Sequence, residues 1–394
     1  MAIDPMLNKF MDEHRNDIES LLVRLIAANT VNPPGDEYLA AQIMRDVLEP
    51  LGVACMTVEK LPGRTNMVAR IGSGRPKTLI ACHFDVVPAG DGWQSDPFAA
   101  VVRDGRVYGR GASDNKGQLA AMLVLAGFLK QHERELIGEV ILAGAADEER
   151  GSNLGLEWMA DERMFDADFA IIPDIDHGMR EITVAEKGAF FLKITSYGRQ
   201  AHGSTPELGV NAAWNMIDLL NGIRVSLDTL FSHEQDPLLS PPTFNLGVIK
   251  GGTAPNIVPA ECEAQVDFRF LPSQRAEDIE RAIMNIAARM EREHQGAKFG
   301  FERLMMVDPI RVDTELELVQ RLRRKAGEVL GRLPDFSGMS GSTVAKPLVR
   351  TGIPAVGFAP GDDNQAHTAN ESIAVDDLVK FAKVIGNFLM KEKS

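Results

Sequence analysis

Three short apolar runs, each leading straight into acids or a histidine, constrain this 394-residue chain more than any other feature. Thr78-Leu79-Ile80-Ala81-Cys82 runs into His83-Phe84-Asp85. Glu139–Gly144 runs into Asp147-Glu148-Glu149, and Phe169–Ile172 into Pro173-Asp174. Runs this short and this apolar fit strands buried on both faces, as in a sheet covered by helices. Ligands of open α/β sheets collect at the carboxyl ends of such strands, so the polar residues stand where chemistry is done.

The segments between the strands read as helices. Asn8–Ile26 carries Phe10, Ile18, Leu21, Leu22 and Leu25 at helical spacing, and Asn32-Pro33-Pro34-Gly35 stops it. Further helices are expected over Glu37–Leu51 and Lys116–Gln131, and strands over Asn66–Ile71 and Val101–Gly109. Strands alternating with helices predict an α/β layered domain. Beyond Gly178 the texture changes. Ile182–Ser196 reads as one strand, Gly209–Val225 as a helix, and Phe244–Ile249 and Cys262–Phe270 as strands. A helix over Ala276–Glu293 and a strand over Lys298–Leu304 complete a split βαβ order, that of a small α+β domain. From Val312 the α/β texture returns, with a helix to Leu330, a strand Ala355–Phe358 and a helix Val375–Met390. The expected plan is one domain interrupted by another: residues 1–178 and 307–394 flank 179–306. At about 150 residues per domain, the length agrees.

Composition narrows the function. The formal net charge of −14 argues against nucleic-acid or anionic-membrane partners. Cys55, Cys82 and Cys262 form no CxxC pair, so neither a thiolate zinc site nor a disulfide framework is expected. The first residues show neither a basic nor an apolar leader pattern and no run is long enough to span a bilayer, so a cytoplasmic location is expected.

Singly, each polar spot has an ordinary explanation. A histidine at a strand end is commonly structural, Asp114 in Gly109–Gly117 is placed like a helix N-cap, and Glu148-Glu149 resembles a solvated turn. The glycine-rich segment matches neither GxxxxGK[ST] nor GxGxxG, which weakens a nucleotide-binding reading. Together they change the reading. Two histidines, His83 and His367, and three or more acids at successive strand ends make a mixed nitrogen and oxygen donor set without thiolate, suited to zinc and also to manganese or cobalt. In two-metal sites the ions lie about 3.5–4 Å apart and share a carboxylate and a water.

In that combination and order, His83-x-Asp85, the Gly109–Gly117 segment, Glu148-Glu149, Asp174 and His367 resemble the M20 family of metallopeptidases and amidohydrolases. That family includes acetylornithine deacetylase, succinyl-diaminopimelate desuccinylase, aminoacylase-1 and glutamate carboxypeptidase. The resemblance covers essentially the whole chain. It implies a zinc-exopeptidase-like α/β catalytic domain interrupted by a smaller ferredoxin-like lid that often mediates homodimerisation. It also implies two divalent ions, with His83 and Asp174 on one, Glu149 and His367 on the other, and Asp114 bridging. Asp85 would orient His83, and Glu148 would be the general base. Many relatives carry glutamate where Asp174 stands.

The resemblance extends to the inserted segment. Gln200–Ser204 is similar to a segment whose histidine, here His202, reaches the oxyanion. Gly251–Pro259 is similar to a loop offering a substrate contact from Asn256, and Asp267-Phe268-Arg269 to a strand whose arginine grips a substrate carboxylate. Arg269 is equally well placed to pair with Asp267. Ser340–Lys346 departs from the Gly-Gly-Thr-Ser-Asp-like pattern of many deacetylases: Val344 replaces the acid, while Gly341 and Ser342 remain for polar contacts. Loss of that acid counts against a basic substrate side chain. The expected activity is hydrolysis of N-acyl amino acids, with exopeptidase or dipeptidase action as the alternative. A catalytically silent binding protein on the same fold should have lost Glu148 or a ligand, and neither is lost.

Overall fold

The computed structural model describes residues 4–174, 177–231 and 234–392. The chain divides into two compact units, Met1–Val184 with Val312–Ser337 and Thr343–Ser394, and Ala185–Arg311 with Gly338–Ser342.

In the first unit the apolar runs form the middle of a mixed sheet. Its strands lie side by side in the order Cys55–Glu59, Thr65–Gly72, Glu139–Ala145, Lys77–His83, Phe169–Ile172, Ala355–Gly357, Glu181–Glu186. The four from Glu139–Ala145 to Ala355–Gly357 are mutually parallel, and the rest are antiparallel to their neighbours. The parallel centre brings the ends of Lys77–His83 and Glu139–Ala145 level, with His83 paired opposite Ala145. One turn later come Asp85 and Asp147–Glu149.

Helix Lys116–Gln131 is buried on nearly every side because it is apolar all round. It packs on the Lys77–His83 strand and receives helices Arg15–Ala27 and Val375–Leu389. Leu79, Ile80, Ile141, Phe169 and Ile171 fill the interior of the sheet. Gly144 is required there: a Cβ on it would lie 2.0 Å from the Phe84 ring. That close approach lets the chain after His83 cross the neighbouring strand.

The second unit is a four-stranded antiparallel sheet in the order Thr243–Gly251, Glu261–Phe270, Gly188–Tyr197, Lys298–Val307. Helices Ala212–Phe231 and Ala276–Glu293 pack on each other and on this sheet. The alternation of Glu261–Phe270 sends Cys262, Ala264, Val266, Phe268 and Phe270 inward to meet Ile223, Ile279 and Ile283. Strand order and connection make it ferredoxin-like.

Three elements differ from the sequence reading. Ile182–Ser196 is two strands, Glu181–Glu186 and Gly188–Tyr197, broken at Lys187, and they join different sheets. The first helix breaks at His14 into Pro5–Glu13 and Arg15–Ala27, where the His14 ring stacks on Phe10 and its Nδ1–H donates to the Phe10 carbonyl. The helix expected from Val312 starts at Glu317, because Val312 first donates its N–H to the Val184 carbonyl. The second unit spans Ala185–Arg311, where the sequence reading set 179–306. Among the described residues, no helix is long and apolar enough to cross a membrane.

Candidate metal centre

His83 ends its strand almost fully buried. Its Nδ1–H donates to the carbonyl oxygen of Asp85 at 2.9 Å, which turns Nε2 outward to 2.9 Å from Asp114 Oδ1. Fixing one ring nitrogen on a carbonyl leaves the other available as a ligand. Asp114 Oδ2 lies 3.3 Å from Nε2 of His367, and Glu149 Oε2 lies 3.0 Å from the same nitrogen. One carboxylate thus spans two imidazoles. Two overlapping groups of donor atoms lie within 4.8 Å of one another, His83–Asp114–Glu149 and His83–Glu148–Asp174.

The carboxylate of Asp85 does a different task from its carbonyl. Its Oδ1 accepts the N–H of Glu148 at 3.0 Å, and Oδ2 accepts the N–H of Glu149 at 3.2 Å and the Asn32 amide at 2.8 Å. It stands 3.6 Å from His83 Nδ1, beyond hydrogen-bond range. Asp85 therefore aligns His83 through its main chain and the Glu148-Glu149 turn through its side chain.

The model of peptidase family M20/M25/M40 matches residues 79–391. An uncharacterized metallohydrolase of Methanocaldococcus jannaschii is 32% identical, the match covering 94% of this chain and 98% of the relative. This chain belongs to the M20 family. It is a metallohydrolase by that membership. Further M20 relatives include an acetylornithine deacetylase of Myxococcus xanthus, 28% identical over 93% of this chain and 95% of the relative. Among solved structures, an M20 metallo-carboxypeptidase from Sulfolobus solfataricus superposes with a TM-score of 0.74 at 23% identity, covering 94% and 98% of the two chains. An aminopeptidase from Bacillus cereus gives 0.75 at 21%, covering 95% and 98%.

The electrostatics of this cluster suit a cation. Burial opposes a charge on His83, but its hydrogen bond to Asp114 and the nearby negative charge of the Asp85 carboxylate outweigh that and hold the imidazole well above its ordinary pKa. His367 is raised to about 10 by hydrogen bonds to Asp114 and Glu149. Burial, with Asp174, Asp114 and Glu149 around it, pushes Glu148 well above the usual carboxylate range. Crowded acids that retain a proton, beside imidazoles that gain one, are relieved when divalent cations replace the protons. No thiolate competes, since burial pushes the Cys82 thiol up to about 12.

Five other expected site residues lie in the second unit: His202, Asn256, Arg269, Gly341 and Ser342. His202 is exposed, its Nδ1 2.6 Å from Ser204 Oγ. The N–H of Gly203 donates to the Asn256 carbonyl at 2.8 Å, which holds the two loops side by side. Arg269 forks onto Asp267, with Nε–Oδ1 2.8 Å and Nη2–Oδ2 3.1 Å, and lies over the Phe191 ring. Val344 is buried in the first unit, where it caps the Ala345–Arg350 helix.

Sequence reasoning missed a buried network behind the acidic turn. Arg64 forks onto Glu37 at 2.7 and 2.6 Å and reaches Asp147 at 3.2 Å. Asn32 joins Asp147 to Asp85. Asp147 itself sits at φ 64°, the left-handed kink that turns Glu148 and Glu149 away from the strand. The only sequence signal was the placement of Asn32 at a stop.

Proposed function

We propose that this chain is a two-metal amidohydrolase that removes the acyl group of N-acyl amino acids. The observation that carries the reading is the Asp114 carboxylate spanning His83 and His367, with Glu148 in the same donor cluster as His83 and Asp174. His83 and Asp174 would hold one divalent ion, Glu149 and His367 the other, and Asp114 would serve both; zinc suits this donor set best, with cobalt or manganese next. When bound, such ions polarise the scissile carbonyl and acidify water.

The chain's own residues do the rest. Glu148 takes a proton from the attacking water on its carboxylate and later gives it to the leaving nitrogen, a role that contributes about 10²–10⁴-fold. Its main-chain N–H is fixed on Asp85, which holds the turn that carries the carboxylate. His202 donates to the oxygen that gains charge at the carbonyl. Arg269, already forked onto Asp267, offers its guanidinium to the substrate carboxylate, and Asn256, Gly341 and Ser342 complete its polar surroundings. Val344 in place of an acid favours substrates without a basic side chain.

The second unit serves as lid and homodimer contact. Its edge strand Thr243–Gly251 exposes Leu246 and Ile249, and its helix Ala212–Phe231 exposes Trp214 and Val225, surface that a second copy would cover. Exopeptidase action is the second reading, favoured by the carboxypeptidase and aminopeptidase among the structural neighbours.

The test is amine release from a panel of N-acyl amino acids and dipeptides by zinc- or cobalt-loaded protein, with a chelated control. Chelator-sensitive release from the N-acyl substrates supports the deacylase. Release from dipeptides alone moves the assignment to the exopeptidases. No release from either, with two metals bound, contradicts both.

A further inference from the structure

Glu371 lies four residues after His367, and its side chain is fully buried. Its carboxylate takes four hydrogen bonds from a segment 257 to 261 positions away. Oε1 accepts the N–H of Ser113 at 2.7 Å and of Asp114 at 3.0 Å. Oε2 accepts the N–H of Gly111 at 3.1 Å and Nη1 of Arg110 at 2.7 Å. The main-chain oxygen of Glu371 takes the N–H of Gly109 at 3.0 Å. The whole turn that presents Asp114 is therefore wrapped on one residue, and that residue belongs to the loop that presents His367.

Neutralising Arg110 does not account for this arrangement. Arg110 also donates to the Ala89 carbonyl and lies over the Trp93 ring, and one Glu371 oxygen is given wholly to the amides of Ser113 and Asp114. A carboxylate oxygen that accepts two main-chain N–H groups fixes both a position and a direction for the backbone. Here the direction is that of Asp114, whose Oδ2 meets His367 at 3.3 Å.

We infer that Glu371 is a positioning residue of the metal centre, clamping the Gly109–Asp114 turn to the His367 loop so that Asp114 and His367 meet on one ion. The inference rests on the two-metal reading. Among the described contacts, Glu371 supplies the side-chain hydrogen bonds from the His367 loop to the main chain of that turn. Its loss should act on one ion more than on the other, because one would draw both Asp114 and His367 from the clamped segments, whereas the other would draw only Asp114 from them, with His83 and Asp174 on other elements.

Metal-free wild type and Glu371→Gln, with matched melting profiles as the check on folding, are titrated with Co²⁺ and followed by visible absorption. Wild type should take up two ions. In Glu371→Gln one step should weaken about 10–100-fold, the usual effect of losing a partner behind a ligand, with an altered spectrum for that ion and a clearly smaller loss at the other step. Two unchanged steps overturn the inference, and so do two steps weakened alike. If Glu371→Gln does not fold, Glu371→Asp keeps the charge and withdraws it by one methylene; the same one-sided weakening is expected, and an even or absent effect overturns it. Fewer than two ions on wild type refutes the two-metal reading and the inference with it, a failure distinct from any difference between variant and wild type.

Discussion

The expected site residues of the two units are held in different ways. In the first unit the donors are tied to distant parts of the chain: His83 by the Asn115 side chain, which accepts its main-chain N–H, Glu148 and Glu149 by the Asp85 carboxylate, and Asp114 by Glu371. In the second unit the partners are local. His202 contacts Ser204, two residues on, and Arg269 contacts Asp267 on its own strand. Long-range ties into a buried sheet fix geometry before a ligand arrives, whereas a half-exposed local pair is cheaply redirected. The first unit's cluster is thus fixed in advance, and the second unit's pairs are readily redirected; under the proposed function the one suits cations and the other a substrate.

The comparison is broken most forcefully at Glu148. Glu148→Gln should lower kcat about 10²–10⁴-fold while metal content by elemental analysis stays at the wild-type level. A variant with normal turnover removes the base from the mechanism. Next comes the buried network. Arg64→Met leaves the Glu37 and Asp147 carboxylates unpaired in the interior and should cost about 3–5 kcal/mol of stability in denaturant titration. A loss under about 1 kcal/mol, no more than a surface pair is worth, would mean the turn does not depend on that network.

A smaller effect is expected in the second unit. Arg269→Met removes charge-assisted bonds worth about 1.5–3 kcal/mol, so KM should rise roughly ten- to a hundredfold with metal affinity unchanged. An unchanged KM with a weakened metal would reverse the roles assigned to the two units.

The mildest prediction concerns pH. The His367 pKa is raised from 6.5 to about 10 in the metal-free protein, mainly by Asp114 and Glu149. A raised pKa means that the folded state binds the extra proton, so the stabilisation is complete below about 6.5 and is lost as pH rises through about 10. The difference in Tm between metal-free wild type and His367→Gln should therefore shrink across that window. A difference that grows with pH contradicts the ion cluster seen around His367.

Much of the fold was legible because burial on two faces leaves an unmistakable trace. Thr78–Cys82 and Phe169–Ile172 read as strands, and helices Lys116–Gln131 and Ala276–Glu293 begin and end where the apolar pattern does. The crossing at Lys187 was missed because Glu186-Lys187-Gly188, which interrupts the apolar pattern, is too short to read as a loop, and both charged residues are buried. The same holds within the site. His83, Glu148, Glu149 and Asp174 stand at ends of apolar segments, Asp114 and His367 in the loops that follow such segments, and all could be picked out as candidates. Glu37, Arg64, Asp147 and Glu371 act through partners far away in sequence, and no local pattern announces such a pair. The division of labour within Asp85, carbonyl to His83 and carboxylate to the turn, depends on local angles that residue identity does not encode.

The central claim is that one carboxylate, Asp114, serves two cations. Calorimetric titration of the metal-free protein with zinc at pH 7, in buffers of different ionisation enthalpy, tests it most directly. The account predicts two equivalents per chain, with protons released as His83 and His367 give up theirs, and a clear loss of affinity for both in Asp114→Ala. A single equivalent, bound without proton release and indifferent to Asp114→Ala, would contradict it.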